Sequence, residues 1–226
     1  MADLRPLAVF DMDGVLVEER SSWKLVHRHF GTDNEGSFAA YARGEIDDHE
    51  FMRRDISLWR SKDWNVHIDQ VRDALEGANV IRGLAEASRE LKAAGFALAI
   101  VSGGLDLLAE KLSALGGFDE VRANGLDTDD RGFLTGEGKL VVPLRDKGKV
   151  VRTELLGTGA YGPVVSVGDS MVDISMFRAT DLSIAFRPET DEVAKEADAV
   201  IYGSDLRDVS ALILEHFQGA RNAGPL

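Results

Sequence analysis

The chain has 226 residues, 44% hydrophobic and 29% charged, which excludes global disorder and allows one domain, or a core domain with a smaller insertion. Cysteine is absent, so disulfides, thiolate-zinc sites and thiol catalysis are excluded. With 26 basic and 39 acidic residues the net charge is −13, and no block of basic residues offers a surface to nucleic acid or an anionic membrane.

In chain order, the opening segment MADLRPLAVFDMDG turns acidic too early for a signal peptide, and no apolar run is long enough for a transmembrane helix. A cytoplasmic protein is therefore expected. Leu7 to Phe10 is a short continuous apolar run of the kind that forms a buried parallel strand, and it stops at Asp11-Met12-Asp13-Gly14. Residues 17–79 contain no convincing strand. They contain helical stretches, Ser22–Phe30 and Glu45–Arg60 among them, and all three tryptophans, Trp23, Trp59 and Trp64. This segment is expected to be a helical cap inserted after the first strand, with residues 1–16 and 80–226 forming the core domain.

Beyond the insertion, strand and helix patterns alternate. Leu84, Ala87, Leu91 and Ala94 keep helical spacing up to Gly95, and Phe96 to Val101 is a second buried strand ending at Ser102-Gly103-Gly104. Leu105, Leu108, Leu112 and Leu115 form the next helical stripe. Turn chemistry between short apolar pieces predicts a hairpin over residues 123–142. Val164 to Val167, Leu182 to Phe186 and Ala199 to Tyr202 are further strands, Leu206, Val209, Leu212 and Ile213 form a last helix, and the tail after Phe217 is expected to be loose. The alternation predicts an α/β fold with a doubly wound parallel sheet.

The chemistry is expected where strands end. In open α/β sheets the ligand site lies outside the carboxyl ends of the strands, so Asp11, Asp13, Ser102, Asp169 and Asp173 can converge although they are far apart in sequence. One acidic pair after a strand is readily a turn or a helix cap; Ser102 and Asp173 could each cap a helix as well. Two acidic pairs and a Ser-Gly-Gly turn at three strand ends are harder to explain that way. Four carboxylates brought together repel one another strongly without a cation, and a hard divalent ion, best Mg²⁺, would resolve this. Metal-bound carboxylates beside a hydroxyl, backbone N–H groups and a lysine suit phosphoryl transfer.

These residues resemble the motifs of the haloacid dehalogenase superfamily. Asp11-Met12-Asp13-Gly14-Val15-Leu16 resembles its first motif, Ser102 its second, Lys147 in Asp146-Lys147-Gly148-Lys149 its third, and Gly168-Asp169-Ser170-Met171-Val172-Asp173 its fourth. Val101-Ser102-Gly103-Gly104, Ala123-Asn124, Leu134-Thr135-Gly136 and Asp173-Ile174-Ser175-Met176-Phe177 resemble the phosphoserine phosphatase branch, which carries a small helical cap. The resemblance implies a phosphatase for a small phosphorylated metabolite. In it Asp11 is the nucleophile that forms an aspartyl-phosphate, and Asp13 is the general acid and then base. Ser102, with Gly103 and Gly104, would hold a phosphate oxygen, and Lys147 would balance charge, with Lys149 as its rival. Asp11, the Asp13 carbonyl, Asp169 and Asp173 would hold Mg²⁺. A phosphotransferase or a phosphate-accepting protein would use the same aspartate chemistry.

The substrate readers depart from that branch. Where it places a glutamate that reads the substrate's amino group, this chain has Arg20, next to Glu18 and Glu19. Where it places an arginine that reads the carboxylate, this chain has Asp55, next to Arg53 and Arg54. Three readings stay open: a pocket rebuilt for phosphoserine with Glu19 and Arg54, a pocket for another ester such as a sugar or polyol phosphate contacted by Arg20, and a plain salt bridge between Arg20 and Asp55. His27 and His29 lie two residues apart and cannot share a helix face, so they are expected to be surface or core.

Overall fold

Seven strands form one sheet in the computed structural model, which describes residues 4–222. In chain order they are β1 (Arg5–Phe10), β2 (Ala97–Leu105), β3 (Glu120–Thr128), β4 (Leu134–Lys139), β5 (Tyr161–Gly168), β6 (Leu182–Phe186) and β7 (Ala199–Ile201). Their spatial order is β4-β3-β2-β1-β5-β6-β7; every pairing is parallel except the β3–β4 hairpin at one edge. The fold is thus the expected α/β class. The chain winds outward from β1 to β4 and then returns to place β5 beside β1. The strand order reverses there, and such a reversal opens a crevice at the carboxyl ends of the strands.

The unbroken apolar runs have a direct explanation. Along β1, Ala8 and Phe10 pack into one apolar cluster while Leu7 and Val9 pack into a second on the opposite face. In β2, Leu98 and Ile100 join the first cluster, and Ala97, Ala99 and Val101 join the second. With both faces covered, neither position of the two-residue repeat can be polar.

Between β1 and β2 lie α1 (Ser22–Phe30), α2 (Glu35–Ala42), α3 (Asp48–Lys62), α4 (Ile68–Leu75) and α5 (Leu84–Ala93). Helix α1 is capped by Ser21, whose side chain accepts from the Lys24 N–H, and closes at Gly31 in the left-handed conformation. The third helix starts three residues later than the expected Glu45, because Asp47 is its cap and accepts from the Glu50 N–H at 2.8 Å. Two helices were not singled out from the sequence, although α4 carries an apolar stripe of Ile68, Val71, Ala74 and Leu75. The segment of α2, EGSFAAYA, lacks a clear apolar stripe, and α4 is capped by His67 with Gln70, a pair outside the usual Ser/Thr signature.

The remaining helices are α6 (Asp106–Gly116), α7 (Lys147–Val150), α8 (Ile174–Phe177), α9 (Asp191–Glu196) and α10 (Leu206–Asn222). The expectation of a loose tail after Phe217 is corrected for residues 218–222, which continue α10; residues 223–226 lie outside the described part. No helix among the described residues is long and apolar enough to cross a membrane. The cluster on one sheet face continues without a break into Trp23, Met52, Ile56 and Trp59 of α1 and α3. Those helices therefore lean over the carboxyl end of the sheet, above Asp11.

Candidate active site

Asp11 is the first residue past β1, and its N–H still donates to the Val167 carbonyl of β5 at 2.9 Å, so the sheet itself fixes its position. The neighbouring Met12 N–H donates to Asp11 Oδ1 at 2.7 Å, and Lys147 Nζ lies 2.8 Å from Oδ2. Lys147 begins α7, whose cap is Asp146, and is 1% exposed. Its ammonium also donates to Asp173 Oδ1 at 2.7 Å. Lys149, the alternative, is exposed. Gly148 is required by space, since a Cβ there would stand 2.0 Å from the Ser175 carbonyl oxygen.

Asp173 organises the turn after β5. Its Oδ2 accepts from the N–H groups of Asp169 and Ser170 and from the Ser170 hydroxyl, all at 2.8–3.0 Å. It is therefore both a turn-capping residue and the second partner of Lys147. Asp169 lies against the turn after β1: a Cβ on Gly14, whose φ is +78°, would meet Asp169 Oδ2. Carboxylate oxygens of Asp11, Asp169 and Asp173 lie within 4.8 Å of one another, and all three residues are buried.

Charge in this cluster is incompletely balanced. Burial, with the Asp173 charge, pushes the Asp11 carboxyl up to about 7 despite Lys147. Burial and the charges of Asp173 and Asp11 push Asp169 up to about 9. Burial also acts against ionisation of Asp173, but Lys147 and the Ser170 donors outweigh it and hold this carboxyl below its usual range. For Lys147, burial opposes the charge, and Asp11 and Asp173 together more than restore it. Lys147 thus faces Asp11 and Asp173 while the Arg20 guanidinium meets Asp169, so three carboxylates are set against two cations, and the remaining negative charge is what a hard divalent cation with oxygen ligands would neutralise. The donor set fits such an ion.

Asp13 faces another way. Its Oδ2 accepts from the Ser22 N–H and the Ser22 hydroxyl, each at 2.9 Å, whereas Oδ1 is buried without a partner. Burial pushes its carboxyl up to about 6, against the Ser22 hydrogen bonds. Ser22, which sequence reasoning missed, also accepts the Leu105 N–H at 3.0 Å and so ties Asp13 to the end of β2. Its only sequence signal was the Ser21-Ser22 pair before a helix.

Ser102 is 1% exposed within the end of β2, and its hydroxyl accepts the Gly104 N–H at 3.1 Å. It is not a helix cap, since α6 follows Leu105. The Gly103 carbonyl accepts from Trp23 Nε1 at 3.1 Å and from Asn124 Nδ2 at 3.2 Å. The Asn124 amide is fully used: its Oδ1 accepts the N–H groups of Val141 and Val142 and its Nδ2 also reaches the Val142 carbonyl.

Asp11, Asp13, Ser102, Gly103, Gly104, Lys147 and Asp169 all border one cleft of about 380 Å³, roofed by α1, α2 and α3. Asp173 lies just beneath its floor, against Lys147. Arg20 reaches this cleft as well. Its guanidinium is 2.5 Å from Asp169 Oδ2 and 3.4 Å from Glu189 and donates to the Arg187 carbonyl. The expected alternative of an Arg20–Asp55 salt bridge is therefore corrected; Asp55 bonds to Asn34 instead. Glu19 and Arg54 are corrections too. Glu19 turns away to grip the Asn79 backbone N–H and side chain, and Arg54 is an exposed residue paired with Glu50 one helical turn before it. Neither borders the cleft.

Residues 8–178 match the family model of the haloacid dehalogenase-like hydrolases, and residues 160–207 match a second model of the same description. The chain belongs to the haloacid dehalogenase-like hydrolases. It is 31% identical to the phosphoserine phosphatase of Methanocaldococcus jannaschii over 92% of this chain and 98% of the relative. It is 29% identical to the phosphoserine phosphatase of Streptomyces coelicolor over 87% of this chain, although it spans only 49% of that protein. Among solved structures it resembles a phospho-aspartyl intermediate analogue of phosphoserine phosphatase, with a TM-score of 0.76 at 29% identity, covering 92% of this chain and 98% of the other.

Proposed function

We propose that this chain is a Mg²⁺-dependent phosphatase of the phosphoserine phosphatase type, hydrolysing a small phosphorylated metabolite through an aspartyl-phosphate on Asp11. The observation that carries the reading is Asp11, buried at the strand-order reversal with Lys147 Nζ 2.8 Å from Oδ2 and two further carboxylates within reach. In this reading residues 17–79 are the cap and residues 1–16 and 80–226 the core.

Asp11, the Asp13 backbone carbonyl and Asp169 would hold the ion, with Asp173 supporting them through the turn it caps. Bound Mg²⁺ would supply positive charge to the phosphoryl oxygens and to the Asp11 carboxylate. Asp11 Oδ attacks phosphorus, the P–O bond to the alcohol breaks, and the proton on Asp13 passes to the departing oxygen. The Asp13 carboxylate then takes a proton from water as its oxygen attacks the phosphoryl group, releasing phosphate and restoring both aspartates. An Asp13 carboxyl raised to about 6 suits a group that must give and then recover a proton near neutral pH. Ser102 and the following N–H groups would hold a phosphoryl oxygen, and Lys147 would offset the charge shared by Asp11 and the phosphate.

The test is phosphate release from small phosphate esters with Mg²⁺, together with mass spectrometry of acid-quenched enzyme. Wild type should carry a phosphoryl group on the Asp11 peptide, and Asp11→Asn should lose both the adduct and turnover. Full activity in Asp11→Asn, or activity that survives exhaustive chelation of divalent ions, would refute the proposal.

A further inference from the structure

The α3 wall of the cleft contains a buried carboxylate with one oxygen partnered and the other free. Asp55 projects from α3 into that wall and is 1% exposed. One of its oxygens, Oδ2, accepts the Asn34 amide at 2.8 Å, with His27 Nε2 at 3.4 Å. The other, Oδ1, is buried and accepts from nothing. A carboxylate oxygen withdrawn from water without a donor is costly, so a folded chain rarely keeps one without a use.

Asn34 strengthens the point. It stands at the N-cap of α2, where an asparagine side chain would ordinarily accept a backbone N–H. It makes no such bond and gives its amide to Asp55 instead. The side chain is spent on orienting a carboxylate rather than on the helix.

The cleft that Asp55 borders is lined on the same side by Trp23, Phe38, Phe51 and Met52. Asp48, a second carboxylate on α3, borders the same space. The nearby arginines are occupied elsewhere: Arg20 by Asp169 and Glu189, Arg53 by Glu50 and Glu137, and Arg54 by Glu50. Lys24 stands at the exposed rim. Carboxylates set among aromatic faces attract a cation, because ring quadrupoles and the negative charge act in the same direction.

We propose that Asp55, oriented by Asn34, is the residue that reads the alcohol half of the substrate, and that the group it takes is an ammonium. The substrate class is then the phosphate monoesters of small amino alcohols. This rests on the phosphatase reading above and assigns the specificity of that same site.

The test compares kcat/KM for 2-aminoethyl phosphate, 2-hydroxyethyl phosphate, n-propyl phosphate and p-nitrophenyl phosphate. Wild type should favour the aminoethyl ester over the propyl ester by at least about tenfold. In the near-isosteric Asp55→Asn that preference should collapse, with the aminoethyl ester losing far more than p-nitrophenyl phosphate does. Equal rates for the aminoethyl and hydroxyethyl esters would overturn the ammonium assignment without any variant being needed. A preference unchanged in a folded Asp55→Asn would overturn the role of Asp55. Failure to release phosphate from any of the four would overturn the phosphatase reading and this inference with it, whereas release without preference overturns only this inference.

Discussion

Replacing Lys147 by methionine isolates the electrostatics at the centre of the site. Methionine fills most of the space of the lysine stem but leaves Asp11 and Asp173 without the ammonium now 2.8 and 2.7 Å away. Asp11 is already pushed up to about 7, so near neutral pH it can shed its charge by binding a proton at small cost. Asp173 cannot, because in the native protein it is held below its usual range. Forcing a carboxyl of ordinary pKa to keep a proton at pH 7.5 costs about 5 kcal/mol, which bounds the protonation part of the penalty. The three donors on Asp173 Oδ2 remain and lower it somewhat, and breaking buried ion pairs typically costs about 3–5 kcal/mol. We expect a loss of about 3–4 kcal/mol at pH 7.5 with chelator present. The sign with pH is fixed by linkage. In the variant the folded pKa of Asp173 rises above its unfolded value, so the penalty is absent below the unfolded pKa and grows as pH rises towards the folded one. At pH 5 the same arithmetic limits that protonation part to about 1.5 kcal/mol. Urea unfolding followed by circular dichroism at the two pH values measures both numbers. A penalty independent of pH, or below about 1 kcal/mol at pH 7.5, would show that Lys147 does not balance these carboxylates.

Two further outcomes are expected. Gly148→Ala sets a Cβ 2.0 Å from the backbone oxygen of Ser175, where no flexible side chain can yield, so α7 must shift and carry Lys147 with it. A loss of about 1–3 kcal/mol in urea unfolding and a fall in kcat should follow, and retention of both would show that α7 is not rigidly seated. Divalent-ion affinity should rise with pH, since Asp11 and Asp169, pushed by burial and neighbouring carboxylates to about 7 and about 9, must release protons to ligate. Calorimetric titration with Mg²⁺ in buffers of different ionisation heat should detect proton release and an affinity gain approaching about tenfold per pH unit per proton. An affinity flat between about pH 6 and 9 would contradict the excess charge assigned to the cluster.

The core was legible because its signals are local. A strand buried on both faces must be apolar at every position, so Leu7 to Phe10 and Phe96 to Val101 declare themselves, and a polar turn after each marks where ligands can bind. Lys147 was legible only through a motif. Nothing local distinguishes it from Lys149; the distinction is made by the Asp146 cap and by Gly148 packing on Ser175, which turn one lysine inward and leave the other in water. Ser22 was missed for the same reason, since its bonds to Asp13 and to the Leu105 N–H depend on how α1 docks on the end of β2.

The helical segment between β1 and β2 departs most from expectation, and one helix shows why. Arg54 is a poor stand-in for the residue beside it, because one residue along a helix turns the side chain by about 100°. Phe51, Met52, Ile56 and Trp59 are the apolar stripe of α3, and all are buried. At helical spacing Asp55 falls inside that stripe, whereas Arg53 and Arg54 fall outside it and pair with glutamates in solvent. A carboxylate in the middle of a buried stripe breaks the apolar pattern at a cost in desolvation, and such a break was itself the readable signal. A lysine or arginine there could have extended its charge to water along a flexible stem, but a short aspartate cannot. The position thus commits the chain to bringing partners to Asp55; Asn34 and His27 face Oδ2, and the unfilled Oδ1 leaves room for the ligand.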